Sequence, residues 1–332
     1  MSTRTLIVAA TSLALVAPAL AQGEGNLATI LQQAQALEPL ESVMVSVDGE
    51  IVAERGYDGH SVDDPTNIKS ASKTVMSALI GMAIARGAID GVDQPIADFL
   101  AEDFPDDADP RLEQVTVGHL LSMQAGLAPT SGANYGRWVA SGNWVQTALE
   151  QKFETDPGGS MLYSTGSTHL LSAILTQATG ESSLSTARDW LDPVEDFQIG
   201  GWERDPQGIY LGGNEMAMSP RSLLAFGEVY RRGGLTESGE RLLTEDWIAQ
   251  SWTERTQSRF TGDGYGYGWF LRPIGGEDVR FAWGYGGQML YVVPSLELTV
   301  VMTSDASSPA ARTGHRDDLH ALLGEIIAEV RG

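Results

Sequence analysis

Three lysines occur in this chain, and two of them, Lys69 and Lys73, lie close on either side of Ser70. Ser70 and Lys73 form a Ser-x-x-Lys spacing at the start of a predicted helix, which puts both side chains on one face. A lysine so placed can hold or relay the serine proton, and that is how a weak hydroxyl nucleophile is activated. The N–H groups of a first helical turn also favour negative charge beside the serine. By itself the spacing equally fits a surface helix with a capping serine. Tyr163-Ser164-Thr165 is a second candidate. It follows the turn Asp156-Pro157-Gly158-Gly159 and precedes an apolar helical run. A nearby ammonium would lower the phenol pKa and let Tyr163 act as a general base; without one, a tyrosine here packs or caps. The third candidate is Ala282-Trp283-Gly284-Tyr285-Gly286-Gly287-Gln288. Glycines in a strand let a ligand or another backbone approach closely. An oxyanion hole needs two backbone donors, and Ser70 and Tyr285 are the candidates for them. The plainer alternative is a glycine-rich bulge.

Other chemistries find little support. With no cysteine, a thiolate nucleophile and thiolate metal sites are excluded. His60, His119, His169, His315 and His320 lack metal-ligand spacing, and no metal or cofactor is expected. His169, six residues after Tyr163, is expected to pack or hydrogen-bond nearby rather than to catalyse. There is no Gly-x-Ser-x-Gly elbow. Asp103, Asp106, Asp107 and Asp109 read as a solvated acidic face. The alternating glycines from Gly262 to Gly268 lack a dinucleotide fingerprint and read as the entrance to a strand. Forty-four acidic against 21 basic side chains give a net charge of −23. Such a surface repels phosphate backbones and anionic lipid heads, so neither nucleic acid nor a membrane surface is an expected partner.

The elements that must position these residues follow from patterning. Residues 1–21 read as a cleavable signal: Arg4, an apolar run from Leu6 to Val16, then Ala19-Leu20-Ala21 with cleavage after Ala21. A periplasmic or secreted protein with no membrane span after cleavage is expected. Ser42 to Ala53 reads as a hairpin turning at Asp48-Gly49. Thr74 to Ile89 reads as a strongly apolar helix, and helical patterns continue to about Trp252. Tyr265–Leu271, Val279–Trp283, Met289–Val293 and Leu296–Thr303 read as four consecutive strands, and Arg312–Arg331 as a closing helix. The fold class expected is α/β of the α+β type: an antiparallel sheet from the N- and C-terminal segments, flanked by helices, with a mainly helical insertion. Residues 22–332 would form one catalytic unit. Its sheet part would take residues 27–68 and 260–332, and its helical part about 69–259.

Together these segments resemble the serine β-lactamase and DD-peptidase superfamily. The resemblance covers nearly the whole mature chain. "SKTVMSALIGMAIARGAIDGVDQPIADFL", "VTVGHLLSMQAGL" and "DPGGSMLYSTGSTHLLSAILTQATG" look like its class C-related branch. "DPQGIYLGGNEMAMSPRSLLAFGEVYRRGG", "GYGYGWFL" and "WGYGGQ" look like the 6-aminohexanoate-dimer hydrolase and family VIII esterase-like group. The resemblance implies a β-lactamase/transpeptidase-like fold and a metal-free hydrolase working through an acyl-enzyme. Ser70, Lys73 and Tyr163 would be catalytic, acting on a small ester or amide. Tyr135, Trp283, Gly284 and Asn214 would line the substrate cleft, although Tyr135 and its neighbours Trp138 and Trp144 equally suit simple packing. Two departures stand out. Thr165 replaces the asparagine of Tyr-x-Asn. Ala282-Trp283-Gly284 stands where a Lys-Thr-Gly or His-Thr-Gly would supply a cation for the β-lactam carboxylate, which argues against an efficient β-lactamase. A DD-peptidase or weak β-lactamase is the alternative enzyme, and a non-catalytic sensor the alternative class.

Overall fold

The computed structural model describes residues 26–308 and 310–332. The expected signal segment, residues 1–21, lies outside the described residues. β1 (Leu40–Val47) and β2 (Glu50–Gly56) form the hairpin, turning through Asp48 and Gly49 at φ 52° and 87°. Mid-chain come β3 (Thr66–Asn67), β4 (Gly201–Trp202) and β5 (Met216–Met218), which make a small sheet in the order β3-β5-β4. The C-terminal part supplies β6 (Thr256–Gln257), β7 (Gly264–Tyr265), β8 (Phe270–Ile274), β9 (Glu277–Gly284), β10 (Gln288–Val293) and β11 (Leu298–Ser304). The large sheet runs β2-β1-β11-β10-β9-β8-β7-β6 and is antiparallel throughout. The expected sheet made from both ends of the chain is thus present.

Burial explains the order. Every residue of β10 and β11 is buried, as befits central strands covered on both faces, whereas β2 at the edge is half exposed. Alternation sorts the side chains by face. Ala282, Leu290, Val292 and Val301 join the core shared with the helical part. Phe281, Tyr291, Val300 and Met302 join a second core with Leu319, Leu323 and Ile326 of the C-terminal helix His315–Arg331.

The helix Ser72–Ala85 is the axle of the first core. Every residue from Ser72 to Ala83 is buried, so it is covered on all sides rather than lying amphipathic at the surface. Buried hydroxyls need partners in that setting, and two of its three find them in one loop. Thr74 Oγ1 donates to Gly268 O at 2.7 Å, and Ser77 Oγ to Tyr267 O at 2.8 Å. These bonds correct one expectation. Tyr265–Leu271 is not one strand: the chain leaves the sheet between β7 and β8 to present those two carbonyls, with Gly268 at φ +78°. The sheet also reaches back to Thr256, beyond the boundary expected at 260. Among the described residues no helix is long and apolar enough to cross a membrane.

Candidate active site

Ser70 sits where the small sheet hands over to the central helix. Asn67 pairs with Ala217, and Ile68 N–H donates to Met216 O at 2.9 Å. Lys69 then takes φ +50°, a left-handed conformation uncommon for a side chain of its size. A single 3₁₀ turn, Lys69–Ala71, leads into the helix, so Ser-x-x-Lys spans a 3₁₀-to-α junction. Across that junction Lys73 Nζ lies 3.1 Å from Ser70 Oγ.

Lys73 is 1% exposed, and its partners are all neutral. Besides Ser70 it reaches Gly213 O at 2.6 Å and Thr165 Oγ1 at 3.3 Å. With no carboxylate to compensate, burial pulls its pKa down to about 7. Thr165 in turn bonds Ser131: its Oγ1 lies 2.9 Å from Ser131 Oγ, and its N–H donates to the same oxygen at 2.8 Å. The substituted asparagine position thus still contacts the lysine.

Tyr163 completes the cluster. Its phenol faces Ser70 closely enough for that hydroxyl to lower its pKa, and its ring centroid lies 5.2 Å from Lys73 Nζ. The ring is held by Phe270 at 6.1 Å and Tyr265 at 6.3 Å. The expected direction of its pKa is reversed. Burial pushes the phenol up to about 12, the Ser70 hydroxyl lowering it only in part. Desolvation outweighs any help from a lysine that itself tends toward neutrality. At neutral pH Lys73 is thus the group able to take up a proton, and the Tyr163 phenol keeps one to give.

The third segment closes the site. β8 pairs with β9 only from Glu277 to Phe281, so Ala282–Gly284 pair with β10 alone. Gly287 N–H donates to Gly284 O at 3.1 Å, which turns Gly284 toward β10. By antiparallel alternation Trp283 then turns its N–H and C=O to the opposite, open edge. The Trp283 ring is packed against two neighbours: Arg316 stacks on it at 4.4 Å and Phe270 meets it edge-on at 5.8 Å. Gly284 is a close-approach residue, since a Cβ there would fall 2.2 Å from Ile68 O and 3.1 Å from Lys69 Cβ. Tyr285 follows at the turn with its side chain 52% exposed. The cation stacked on this segment, Arg316, is buried and ion-paired with Asp263.

On the far side, Asn214 Nδ2 donates to Tyr135 OH at 2.9 Å. Tyr135 packs edge-on against Trp138 at 6.0 Å. Its phenol is raised to about 12 by burial and then by the Glu215 carboxylate, against the lowering bond from Asn214. His169 is away from the nucleophile. Its Nε2 lies 3.0 Å from Asp205 Oδ2, both side chains fully buried, and its ring touches Trp138 and Trp144.

A family model described as Beta-lactamase matches residues 32–325. The chain belongs to the beta-lactamase family. It is a serine hydrolase of the β-lactamase and DD-peptidase superfamily. Solved structures share the fold. A Bacillus anthracis protein provisionally named a 6-aminohexanoate-dimer hydrolase is 19% identical, with TM-score 0.69 over 88% of this chain and 82% of that one. EstCE1, a hydrolase with promiscuous acyltransferase activity, is 18% identical, with TM-score 0.70 over 91% and 99%. A penicillin-binding protein homologue from Caulobacter crescentus is 17% identical, with TM-score 0.72 over 92% and 97%. No curated protein matches the chain closely enough to stand beside these.

Within this beta-lactamase framework, four contributors escape sequence reasoning. Gly213 lends only a carbonyl, and it lies 140 positions from Lys73; the Gly212-Gly213 doublet is its one visible trace. Ser131 leaves no motif. Asp205 and Arg316 pair with residues remote in sequence, and nothing in a single chain marks those pairings.

Proposed function

We propose that this hydrolase cleaves small esters or linear amides through an acyl-enzyme at Ser70, and that it is exported. The observation that carries the reading is Lys73, buried without a carboxylate 3.1 Å from Ser70 Oγ and poised near neutrality. The neutral amine takes the Ser70 proton as Oγ adds to the substrate carbonyl. The N–H groups of Ser70 and Tyr285 receive the oxyanion. The Tyr163 phenol gives its proton to the leaving oxygen or nitrogen and regains one from the Lys73 ammonium. Water then enters by the same steps in reverse and releases the acid. Tyr135 and Asn214 border the substrate.

The third segment supports esters and linear amides over β-lactams. Ala282 and Trp283 carry no charge, and Asp263 compensates Arg316 behind them. A free cation hydrogen-bonded to a carboxylate would contribute about 1.5–3 kcal/mol. The test is labelling of Ser70 by a fluorophosphonate, located by peptide mass, with kcat/KM for p-nitrophenyl butyrate and for nitrocefin on one preparation. Labelling absent in Ser70→Ala and a clear preference for the ester are expected. A nitrocefin preference of about tenfold or more, roughly 1.4 kcal/mol, would overturn the substrate assignment. Ser70→Ala with full turnover would overturn the nucleophile.

A further inference from the structure

Two residues beside the site have left-handed backbones without being glycine, and they face each other. The β3–β5 ladder pairs Thr66 with Met218 and Asn67 with Ala217, and Ile68 N–H reaches Met216 O. The next pair in that register is Lys69 and Glu215. They take φ +50° and +52°. Such conformations persist where the surroundings over-determine them. Here Lys69 Nζ lies 3.3 Å from Glu215 Oε1. Asn67 bridges the two: its Oδ1 accepts from Lys69 N–H at 2.9 Å, and its Nδ2 donates to Glu215 Oε2.

What lies just past each turned residue gives the arrangement its meaning. Past Lys69 comes Ser70. On the other strand Asn214 and then Gly213 precede Glu215, and the Gly213 carbonyl accepts from Lys73 Nζ at 2.6 Å. The lysine is thus held between the ends of two strands, one carrying the nucleophile and the other the carbonyl that aims the amine. There is no slack on the carbonyl side, since a Cβ at Gly213 would fall 2.0 Å from Thr168 Oγ1 and 2.9 Å from Lys73 Nζ.

We infer that Asn67, Lys69 and Glu215 form a clamp that sets the spacing between Ser70 and the Gly213 carbonyl, making Glu215 and Lys69 positioning residues for acylation. The second lysine beside the nucleophile is then neither a base nor an anchor for the substrate. Its charge is spent on Glu215, and its role is to hold both strand ends in their turned conformations. Breaking the clamp lets the carbonyl and the serine drift apart, and an ångström of misplacement at reacting atoms lowers rates by about 100-fold. The effect falls on kcat and on the rate of acylation, because no clamp residue need touch the substrate.

This inference rests on Ser70 being the nucleophile, so wild-type labelling at Ser70 is measured first; its absence would sink that assignment rather than the clamp. Next come Glu215→Ala, Glu215→Gln, Lys69→Met and Lys69→Met/Glu215→Gln, each with fluorophosphonate labelling rate, kcat, KM and thermal unfolding. Glu215→Ala should lower kcat and labelling rate together by about 10- to 100-fold with KM within about threefold. The double variant should be no worse than the worse single one, because both residues serve one interaction. If Glu215→Ala does not fold, Glu215→Gln decides, since it keeps the bond from Asn67 and loses only the ion pair; a loss of about three- to tenfold in kcat is then expected. Folded variants that label as fast as wild type, or losses confined to KM, or losses that simply add, overturn the clamp.

Discussion

Lys73 and Arg316 are both buried cations, and their surroundings differ in one respect. Lys73 is 1% exposed and Arg316 5%. Arg316 has a carboxylate, Asp263, with Arg272 3.5 Å from the same group and the rings of Trp283 and Phe281 beside it. Lys73 has a hydroxyl on either side and a carbonyl, all neutral. Nearby His320 is held down at about 3 by burial and then by Arg316 and Arg272. The lysine is poised near neutral pH to give its charge up. Burial alone therefore does not mark a functional cation. A buried cation denied a counter-charge is a base in waiting, while one given a counter-charge is a fastener.

The largest expected effect comes from removing the base. Lys73→Met fills similar volume without the amine and should lower kcat/KM for p-nitrophenyl butyrate by roughly 10²–10⁴-fold, the usual worth of a positioned general base. Folding should survive, since no charge is orphaned. A variant within about threefold of wild type would mean that Tyr163 or water deprotonates Ser70 unaided.

The matching change at the fastener should act on stability instead. Asp263→Leu strands the Arg316 charge in the core and should destabilise by about 3–5 kcal/mol. Asp263→Leu/Arg316→Met removes both charges and should recover most of that loss. Denaturant unfolding of the three proteins checks this. If the double variant is no more stable than the single, the pair matters through shape rather than charge.

How far the sequence discloses this contrast depends on distance along the chain. Ser70 and Lys73 are legible because three residues separate them. Tyr163 is legible because it follows a Pro-Gly-Gly turn and opens a helix, within a motif the family resemblance supplies. The sheet from both termini is legible in the apolar runs from Met289 to Thr303. What sets Lys73 apart from Arg316 is the absence of one carboxylate and the presence of another, each decided by residues 50 or more positions away. The phenol of Tyr163 was expected to be acidified for the same reason: a neighbouring ammonium can be guessed from a motif, whereas desolvation cannot. Strands of two residues, as in β3 and β4, carry no period to read, so the ladder that aims Ser70 was invisible. The break between β7 and β8 depends on two hydroxyls of a helix almost two hundred residues earlier.

Supplying the missing counter-charge should turn the base into a fastener. Thr165 Oγ1 is 3.3 Å from Lys73 Nζ, so Thr165→Asp sets a carboxylate beside the amine. An opposite charge at that range raises a lysine pKa by about 1–3 units. In wild type only the neutral amine accepts the Ser70 proton, so kcat/KM should fall on the acid side of about pH 7. In Thr165→Asp that limb should move up by the same units, leaving the variant slow at pH 7 and partly restored by pH 9. An unmoved limb would show that the profile reports some other group.

The same displacement also makes stability depend on pH, and its sign follows directly. Unfolded, Lys73 titrates near its ordinary 10.5; folded, it titrates near 7. Between those values the unfolded chain carries a proton that the folded protein lacks, so stability rises with pH across the window. Below about pH 7 both states are protonated and the cost of burying the ammonium is present in full. Lys73→Met has no such proton, and subtracting its stability curve from that of wild type cancels every other titrating group to first order. The difference should favour the methionine variant most at and below pH 7 and should shrink steadily toward pH 10. A flat difference would mean that Lys73 keeps its proton in the folded state across this range, and that its neutrality arises only when substrate excludes the remaining water from Ser70.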